Sequence, residues 1–509
     1  MADRIARRTV LRALAASPLL ALPAAAAQAQ PRPFGFQDVQ VEAIKLSGMP
    51  YRAPAIALPE PLANATYSQY QGIRFRSSEA LWHGEDLLFR VQFFHLGFIH
   101  ETPVRINVIA DGMVRPVAFR KDMFTYADPA LAEATPEEFA FSGFRLHYPL
   151  NQTGGYNEFM VFQDASYFRI IGRGQHYGLS ARGLAINSGI AGEDEEFPIF
   201  REFWIEKPAR GASDILVYAL LDSESVAGAY RFAIHPGNDS PVEVTATLFP
   251  RRDIPRLGIA PMSSMFMMGE NQPGLIDDFR PEVHDSDGLL LRHSSGEWLW
   301  RPLANPKTLR LIPFADPETR GFGLLQRDRG FANYQDLEAD YHQRPSLWVE
   351  PLRPFGSGSV QLVEIPTDSE RHDNIAAFWS PAAPVTRGQR VEWQYRLTSF
   401  LDVERHPTLG RVEATRTGPS PTVAGARRIF VDFVGRGLEL LTEQQEVKAE
   451  LSASAGAVQN PVVQKNDVTG GWRLFFDFVP PGENSAELRC ALTLLGERIT
   501  ETWIYSWPV

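Results

Sequence analysis

Strict alternation of apolar and polar side chains marks the run Val391-Glu392-Trp393-Gln394-Tyr395-Arg396-Leu397-Thr398. Successive side chains of a β-strand point to opposite faces, so a period of two predicts a strand with one buried and one solvated face. The same alternation recurs at 242–248 and 488–494, far apart along the chain. The chain is therefore predicted to be mostly β.

Helical spacing is confined to short pieces. The clearest lies at 331–341, where Tyr334, Leu337 and Tyr341 would share one stripe of a helix. Glycine and proline number 39 each and punctuate the chain as turn residues. Helices are thus expected only as short connections.

A composition shift between 406 and 427 suggests a domain boundary. Gly, Pro and Ser interrupt any apolar rhythm there, so this stretch is predicted to be a linker. Beyond it, 428–509 carries short apolar runs at the spacing of an immunoglobulin-like sandwich, at 429–434, 472–479, 487–494 and 499–505. Residues 30–405 are predicted to form one large β domain or two smaller packed ones.

Composition excludes several classes of protein. With 44% hydrophobic and 22% charged residues among 509, the chain is globular and not disordered. A formal charge of -11 disfavours binding to nucleic acid and anionic lipid, so a neutral ligand is expected. The single cysteine, Cys490, excludes an internal disulfide and a cysteine-rich zinc site.

The first 29 residues are predicted to be an export signal. Arg7 and Arg8 precede an Ala- and Leu-rich stretch that ends in Ala27-Gln28-Ala29, a small-residue cleavage site. The arginine pair indicates the twin-arginine route, and the apolar run, broken by prolines, is shorter than a spanning helix needs. A periplasmic location is predicted.

Common catalytic and metal motifs do not fit. The run at 172–178 misses the dinucleotide fingerprint by one residue, and 177–182 lacks the second Gly of a nucleophile elbow. His95 and His100 lack a metalloprotease frame. The turn at 285–288 begins like a calcium loop but lacks later ligands, so calcium is a weak alternative. No cofactor is predicted.

Three acid-bearing turns remain, at 284–288, 326–329 and 368–374, with aromatic residues near them. Loops of a β scaffold commonly carry functional groups, and aromatic faces with carboxylates and Arg side chains suit a sugar cleft. The alternative is that each acid brackets a turn and each aromatic ring fills a core. Composition alone leaves both interpretations open.

Several long sequence blocks resemble one family, the osmoregulated periplasmic glucan biosynthesis proteins of G/D type. They lie, in the expected order, at 177–185, 257–262, 284–287, 321–326 and 344–351. The resemblance covers nearly all of the mature chain, and the twin-arginine signal is similar to that of D-type members. It implies a large N-terminal β sandwich of the galactose mutarotase type followed by an immunoglobulin-like sandwich.

The resemblance also implies action on β-1,2-linked glucan. Some members are anomer-inverting endo-β-1,2-glucanases, and relatives carry out transglycosylation. Matched by motif, the general acid position falls on Asp373 and the general base position on Asp285. In ordinary inverting enzymes the two carboxyls lie about 6.5–9.5 Å apart, and the resemblance suggests a longer relay through water. The remaining predicted substrate-binding residues are Trp348, Arg344, Glu370, Asp287, Tyr341 and Trp379.

Two further expectations concern function. Arg327 stands where some family members carry an apolar residue, which leaves hydrolysis and transglycosylation open. The alternative to an enzyme is a non-catalytic glucan-binding or assembly factor in the same biosynthesis. The expected partners are β-1,2-glucan, a membrane glucosyltransferase and a second copy of the chain as a homodimer, with no nucleic acid.

Overall fold

A computed structural model describes residues 33–151, 154–190, 192–272, 276–482 and 485–507. The predicted signal at 1–29 lies outside these residues. The mostly β class is confirmed: strands dominate the described chain, and the described residues from 34 onward form one compact unit. No helix in the described ranges is long and apolar enough to cross a membrane.

The strands of the first half include the predicted one at 242–248, within β14. In chain order they are β1 Ile73–Phe75, β2 Arg90–His95, β3 Arg105–Ala110, β4 Met113–Pro116, β5 Phe124–Tyr126, β6 Phe141–Tyr148, β7 Asn157–Gln163, β8 Tyr167–Ile170, β9 Ser180–Arg182, β10 Leu184–Ile186, β11 Ile199–Glu206, β12 Ile215–Asp222, β13 Val226–Ile234, β14 Pro241–Pro250, β15 Leu257–Ser264 and β16 Phe266–Met268.

The second half contains the predicted alternating strands at 391–398 and 488–494, within β25 and β31. Its strands are β17 Val283–His284, β18 Gly288–Arg292, β19 Trp298–Pro302, β20 Arg310–Asp316, β21 Gly321–Leu325, β22 Ser346–Pro351, β23 Gly358–Glu364, β24 Ile375–Pro381, β25 Val391–Phe400, β26 Arg411–Pro419, β27 Arg427–Val434, β28 Val447–Ala453, β29 Ala457–Asn466, β30 Gly471–Val479, β31 Ala486–Leu494, β32 Glu497–Arg498 and β33 Thr502–Trp507.

Helices in the described residues are short. They are α1 Phe36–Ser47, α2 Glu60–Ala63, α3 Tyr67–Gln71, α4 Pro129–Ala134 and α5 Phe331–Tyr334. The prediction of one helical stripe over 331–341 is wrong, because α5 ends at Tyr334 and the next residue, Gln335, has a left-handed φ of 56°. Leu337 of that stripe is 82% exposed, whereas Tyr334 and Tyr341 are buried.

Two large sheets pack face to face as a sandwich. One runs in the order β2-β6-β7-β8-β9-β15-β24-β23-β20, with β10 beside β15. The other runs in the order β28-β31-β33-β19-β18-β21-β22-β25-β14-β13-β12-β11-β3-β4. Apolar side chains from both sheets fill one core between them, including Phe144 and Phe232 with no exposed surface. Strand β25 shows how the sequence places this core, since Trp393, Tyr395 and Leu397 are buried at alternate positions.

The C-terminal part shares a sheet with the rest of the chain. A separate four-stranded sheet, β26-β27-β30-β29, faces β28, β31 and β33, which is the size of an immunoglobulin-like sandwich. Strand β33, however, pairs in parallel with β19, so the larger sheet continues across the predicted boundary. Strand β26 also lies inside the stretch 406–427 that composition suggested is a linker. The domain limits themselves stay predictions.

Candidate active site

Strand pairing brings three chain segments to one edge of the larger sheet. Strands β18 and β22 both pair antiparallel with β21, with Gly288 opposite Leu325 and Leu347 opposite Leu324. The start of β18, the end of β21 and the start of β22 therefore lie side by side. Asp285 and Asp287 precede β18, and Arg344 precedes β22.

Asp285 is buried and forms an ion pair with Arg344. Its backbone N–H donates to the Met265 carbonyl at 2.8 Å. The Arg344 guanidinium lies 4.2 Å from the centroid of the Tyr341 ring, and its Nε donates to the Ala339 carbonyl at 3.0 Å. The cation–π contact and the hydrogen bond fix the guanidinium in the position where it meets Asp285.

A glycine makes room for this arginine. A Cβ added at Gly178 would lie 2.9 Å from both the Cβ and the Cδ of Arg344. Non-bonded carbon atoms do not come this close to each other, so a side chain at position 178 would displace Arg344. The block at 177–185 therefore contributes to the site through the absence of a side chain.

Asp373 reaches the same region from the other sheet. It precedes β24 and is exposed, while its neighbour Asn374 is buried. The Asn374 side chain accepts from the Phe266 N–H at 2.8 Å and donates to the Phe266 carbonyl at 3.0 Å. Since the adjacent Met265 holds the backbone of Asp285, two consecutive residues, Met265 and Phe266, hold both aspartate segments.

Electrostatics also link the two aspartates. Partial desolvation raises the pKa of the Asp373 carboxyl, Arg169 lowers it and Asp285 raises it, with a net upward shift. The side chain of Asp373 is exposed to solvent, which leaves its carboxyl accessible to a ligand. Asp373 thus holds its proton more readily than a free aspartic acid does.

Glu370 contacts Tyr341, the residue whose ring lies against Arg344. It accepts the Tyr341 hydroxyl at 2.6 Å and a guanidinium N–H of Arg280 at 2.7 Å. Arg280 also pairs with Asp278 and Asp336, each at 2.8 Å. Burial, and secondly the hydrogen bond to Glu370, raise the pKa of Tyr341, so its hydroxyl stays a donor. Glu370 and Tyr341 therefore fix the arginine that meets Asp285.

Asp287 faces away from Asp285, into a buried polar cluster around His284. Its carboxylate accepts backbone N–H groups of Arg327 and, at 3.0 Å, of Asp328. His284 lies 2.8 Å from Glu282 through Nε2 and 3.3 Å from Asp287 through Nδ1. Burial opposes the charged imidazolium, but Glu282 and Asp287 outweigh it and raise the pKa of His284 to about 9.

The cluster holds more acid than base. Burial raises the pKa of Asp328 to about 9 and that of Glu270 to about 8, each with help from neighbouring carboxylates. Ligand atoms of Glu282, His284 and Asp328 lie within 4.8 Å of one another, a set that could hold a metal ion. A metal would have to displace the proton of His284, because only the neutral imidazole is a ligand.

The calcium-like turn at 285–288 points its two carboxylates apart. Asp285 meets Arg344 and Asp287 meets backbone donors on the other side, so the two carboxylates do not face one ion.

Arg327 has a structural partner in the C-terminal part of the chain. The Arg327 guanidinium forms a buried pair with Glu501 at 2.6 and 3.0 Å, which ties this loop to the C-terminal part.

Two predicted binding residues lie apart from this group. Trp348 is 5% exposed, and its ring packs against Trp298 and His406 at centroid distances of 5.7 and 4.6 Å. Trp379 is 1% exposed and packs against Phe355. Neither indole is exposed, so the prediction that Trp348 and Trp379 bind substrate is replaced by a core role for both.

The sequence interpretation missed four charged groups near the aspartates, namely Arg169, Arg182, Arg280 and Glu282. Arg169 and Arg182 act on Asp373 from strands β8 and β9. The signal available was position: Arg182 stands in the block at 177–185 that carries the family resemblance. Arg169 and Arg280 stand in no recognised motif, so only the fold brings them to the site.

Comparison with known proteins places these residues in a family context. The family described as "Periplasmic glucan biosynthesis protein, MdoG" matches residues 34–507. A "Glucans biosynthesis protein G" of Rhodopseudomonas palustris strain BisA53 is 47% identical over 510 residues, covering 99% of this chain and 100% of the relative. A protein of the same name from Vibrio cholerae strain O395 is 45% identical over 472 residues, covering 91% and 85%. The Bradyrhizobium diazoefficiens protein of that name is 44% identical over 504 residues, covering 98% and 99%.

Proposed function

The chain belongs to the MdoG family of periplasmic glucan biosynthesis proteins, and from this premise we propose that it is an anomer-inverting enzyme acting on β-1,2-glucan. The family description places it in the periplasm. The proposed reaction is endo-β-1,2-glucanase or transglycosylase chemistry, with Asp373 as general acid and Asp285 as general base. Assignment to the D type and twin-arginine export are part of the same proposal.

One observation carries the proposal. The carboxyl of Asp373 is accessible and has a raised pKa, to which the charge of Asp285 contributes. Asp285 is itself paired with Arg344. A general acid must keep its proton to protonate the leaving oxygen, and a base must be ionised. Two acids in unlike environments provide that division.

Each group has a defined part in the reaction. Asp373 donates its proton to the glycosidic oxygen as the bond to the anomeric carbon breaks. Water attacks that carbon from the opposite face, or a sugar hydroxyl does so in transglycosylation, and its proton passes to Asp285. Asp285 is only 4% exposed, so a relay through water or a substrate hydroxyl suits it better than direct contact. Arg344, Tyr341 and Glu370 hold it in place.

The test is product analysis with linear β-1,2-glucan. We expect shorter chains or rings, with inverted configuration at the newly formed anomeric centre, observed by NMR early in the reaction. Asp373→Asn should lower the rate at least ~100-fold, as is typical for the loss of a general acid, and should retain glucan binding. An unchanged substrate, or a D373N protein as active as the parent, would refute the catalytic proposal.

A second candidate is a non-catalytic glucan-binding or assembly factor. The observation that favours it is the burial of Asp285 in its ion pair, which limits its access to water. In this reading the groove binds glucan without turnover, while the C-terminal part contacts a membrane glucosyltransferase or a second copy of the chain. Tight glucan binding with no product at any enzyme concentration would select this function.

A further inference from the structure

A crevice separate from the aspartates lies where the two large sheets meet the C-terminal strands. Its volume is about 240 Å³, room for about eight water molecules at ~30 Å³ each. It lies between the ends of β18 and β20 and the strands β31 and β33. Its exposed lining residues Arg292 and Ala315 mark the opening to solvent.

The crevice and the aspartates lie at opposite ends of β18. Asp287 precedes the strand, and Arg292 ends it, five residues further on. At about 3.3 Å per residue the separation is ~17 Å. A sugar unit in the crevice therefore cannot be the one that contacts Asp285.

The lining contains a buried polar group without a partner. Thr319 is 3% exposed, and its hydroxyl has no hydrogen-bond partner among the described residues. A buried hydroxyl that lacks a partner costs free energy, so a ligand group that bonds it is favoured. Thr319 is one of the residues that line the crevice.

Charged residues of both signs line the same crevice. Glu297 accepts from Arg498 and Thr502, each at 2.6 Å, and Arg489 approaches it at 3.3 Å. A guanidinium has five N–H donors, and the described hydrogen bonds of Arg489 use one, so it retains donors for a ligand. The Asp316 carboxylate, held by the backbone N–H groups of Ser294 at 3.0 Å and Glu318 at 3.1 Å, also belongs to the lining.

An aromatic ring completes the lining. Phe314 of β20 is half-buried at the crevice, beside His293, whose Nε2 lies 3.5 Å from Asp316. Fixed donors, fixed acceptors and a flat apolar ring suit a neutral polyhydroxylated ring better than an ion, because charges of both signs line the wall. The crevice has about the size of a single hexose.

We propose that this crevice is a second glucan-binding site, which holds one glucosyl unit away from the reacting bond. The inference rests on the proposed function for the identity of the ligand, but it concerns binding alone. The Thr319 hydroxyl and the Arg489 guanidinium bond the sugar hydroxyls, and Phe314 lies against the ring face. Such a site anchors a long chain while its other part occupies the groove.

The test uses a short β-1,2-linked gluco-oligosaccharide and calorimetry with D373N protein, in which turnover is suppressed. We expect two sites per chain. The double variant Thr319→Val with Phe314→Ala should lose one of them and bind long glucan at least tenfold more weakly. Thr319→Val alone, which keeps the side-chain volume, should show a smaller loss in the same direction. Tyr67→Ala, which removes an aromatic ring that is 62% exposed elsewhere, is the matched control.

The outcomes separate this inference from the proposed function. Parent-like stoichiometry and affinity in a folded double variant, or in Thr319→Val if the double variant does not fold, would overturn the second site and leave catalysis untouched. Crevice-dependent binding in a protein that converts no glucan would support the second site and refute the enzyme. Absence of glucan binding by the parent would overturn both.

Discussion

Asp285 and Arg344 form a buried ion pair although 59 residues separate them along the chain. They meet because each precedes a strand that flanks β21, so antiparallel pairing aligns the two strand starts at one edge. Burial opposes the charge of Arg344, but the carboxylate of Asp285 outweighs it and raises the pKa of the guanidinium. The position of the proposed base is thus set by sheet topology.

The first prediction concerns the glycine that faces Arg344. Gly178→Ala should push Arg344 away from Asp285, because the new Cβ would lie 2.9 Å from two of its side-chain carbons. We expect turnover of glucan to fall about tenfold or more, with a stability loss of about 1–3 kcal/mol from overpacking. Gly237→Ala, where a Cβ meets no atom within 4 Å, is the control. Full activity in the Gly178 variant would show that Arg344 does not position the base.

The second prediction concerns the pH dependence of the proposed acid. Arg169 lowers the pKa of Asp373, so Arg169→Met should raise that pKa. The alkaline limb of the pH–rate profile, where the acid loses its proton, should then move to higher pH, whereas Arg169→Lys should keep it in place. Arg173→Met, a nearby exposed arginine, is the control. A shift to lower pH would contradict Asp373 as the acid.

The third prediction concerns the ion pair that links the loop carrying Arg327 to the C-terminal part. Glu501→Gln should lower the free energy of unfolding by about 3–5 kcal/mol, because Arg327 would remain buried without its partner charge. The double change Arg327→Met with Glu501→Leu should be less destabilising than either single change. Urea denaturation of the parent, Arg327→Met, Glu501→Leu and the double variant, which form one cycle, measures this, with Glu501→Gln measured beside them. Additive losses would show that the two side chains act independently.

The fourth prediction concerns stability against pH. The pKa of His284 is raised to about 9, so its contribution is fully present below the unfolded value of 6.5 and is lost as pH rises through about 9. Glu270 and Asp328, with pKa values of about 8 and 9, act in the same direction, since the fold favours their protonated forms. The melting temperature should therefore fall between pH 6.5 and 9.

Substitution at the same histidine gives the control for that slope. His284→Asn should reduce the fall in melting temperature over this interval without abolishing it, because the two acids remain. His83→Gln, at an exposed histidine, should leave the slope as in the parent. A His284 variant with an unchanged slope would mean that the imidazole does not exchange its proton there.

The fifth prediction concerns export. Replacing Arg7 and Arg8 together by lysine should leave the protein in the cytoplasm, since the twin-arginine route reads that pair. Arg4→Lys should be exported normally. Fractionation of cells that express each variant measures the distribution, and periplasmic delivery of the double variant would point to the general secretory route.

The fold class could be predicted because its signal is local. Alternation along β25 encodes which face is buried, and the structure buries Trp393, Tyr395 and Leu397 as that pattern requires. The helical stripe at 331–341 failed because Gln335 adopts a left-handed conformation that spacing does not reveal. The prediction that Trp348 binds substrate failed for a different reason: composition identifies an aromatic ring, but it does not show whether other rings cover the faces of that ring.

The site was predictable only in part. The resemblance pointed to Asp285, Asp373 and Arg344, and the structure brings these three side chains into one electrostatic environment. It could not show that Asn374 ties Asp373 to Phe266, because that link depends on contacts between distant segments. The contribution of Arg169 is equally non-local, since it arises from strand β8.

Strand β19 has β33 as a neighbour, and β33 consists of residues 502–507. The largest sheet therefore cannot be completed until nearly the whole chain has left the ribosome. Until then one edge of β19 has no partner strand, because Leu299 and Trp300 pair with Thr502 and Trp503. Completion of this sheet therefore requires residues 502–507, so an export machinery that accepts only folded cargo would also act as a check that these residues had been made.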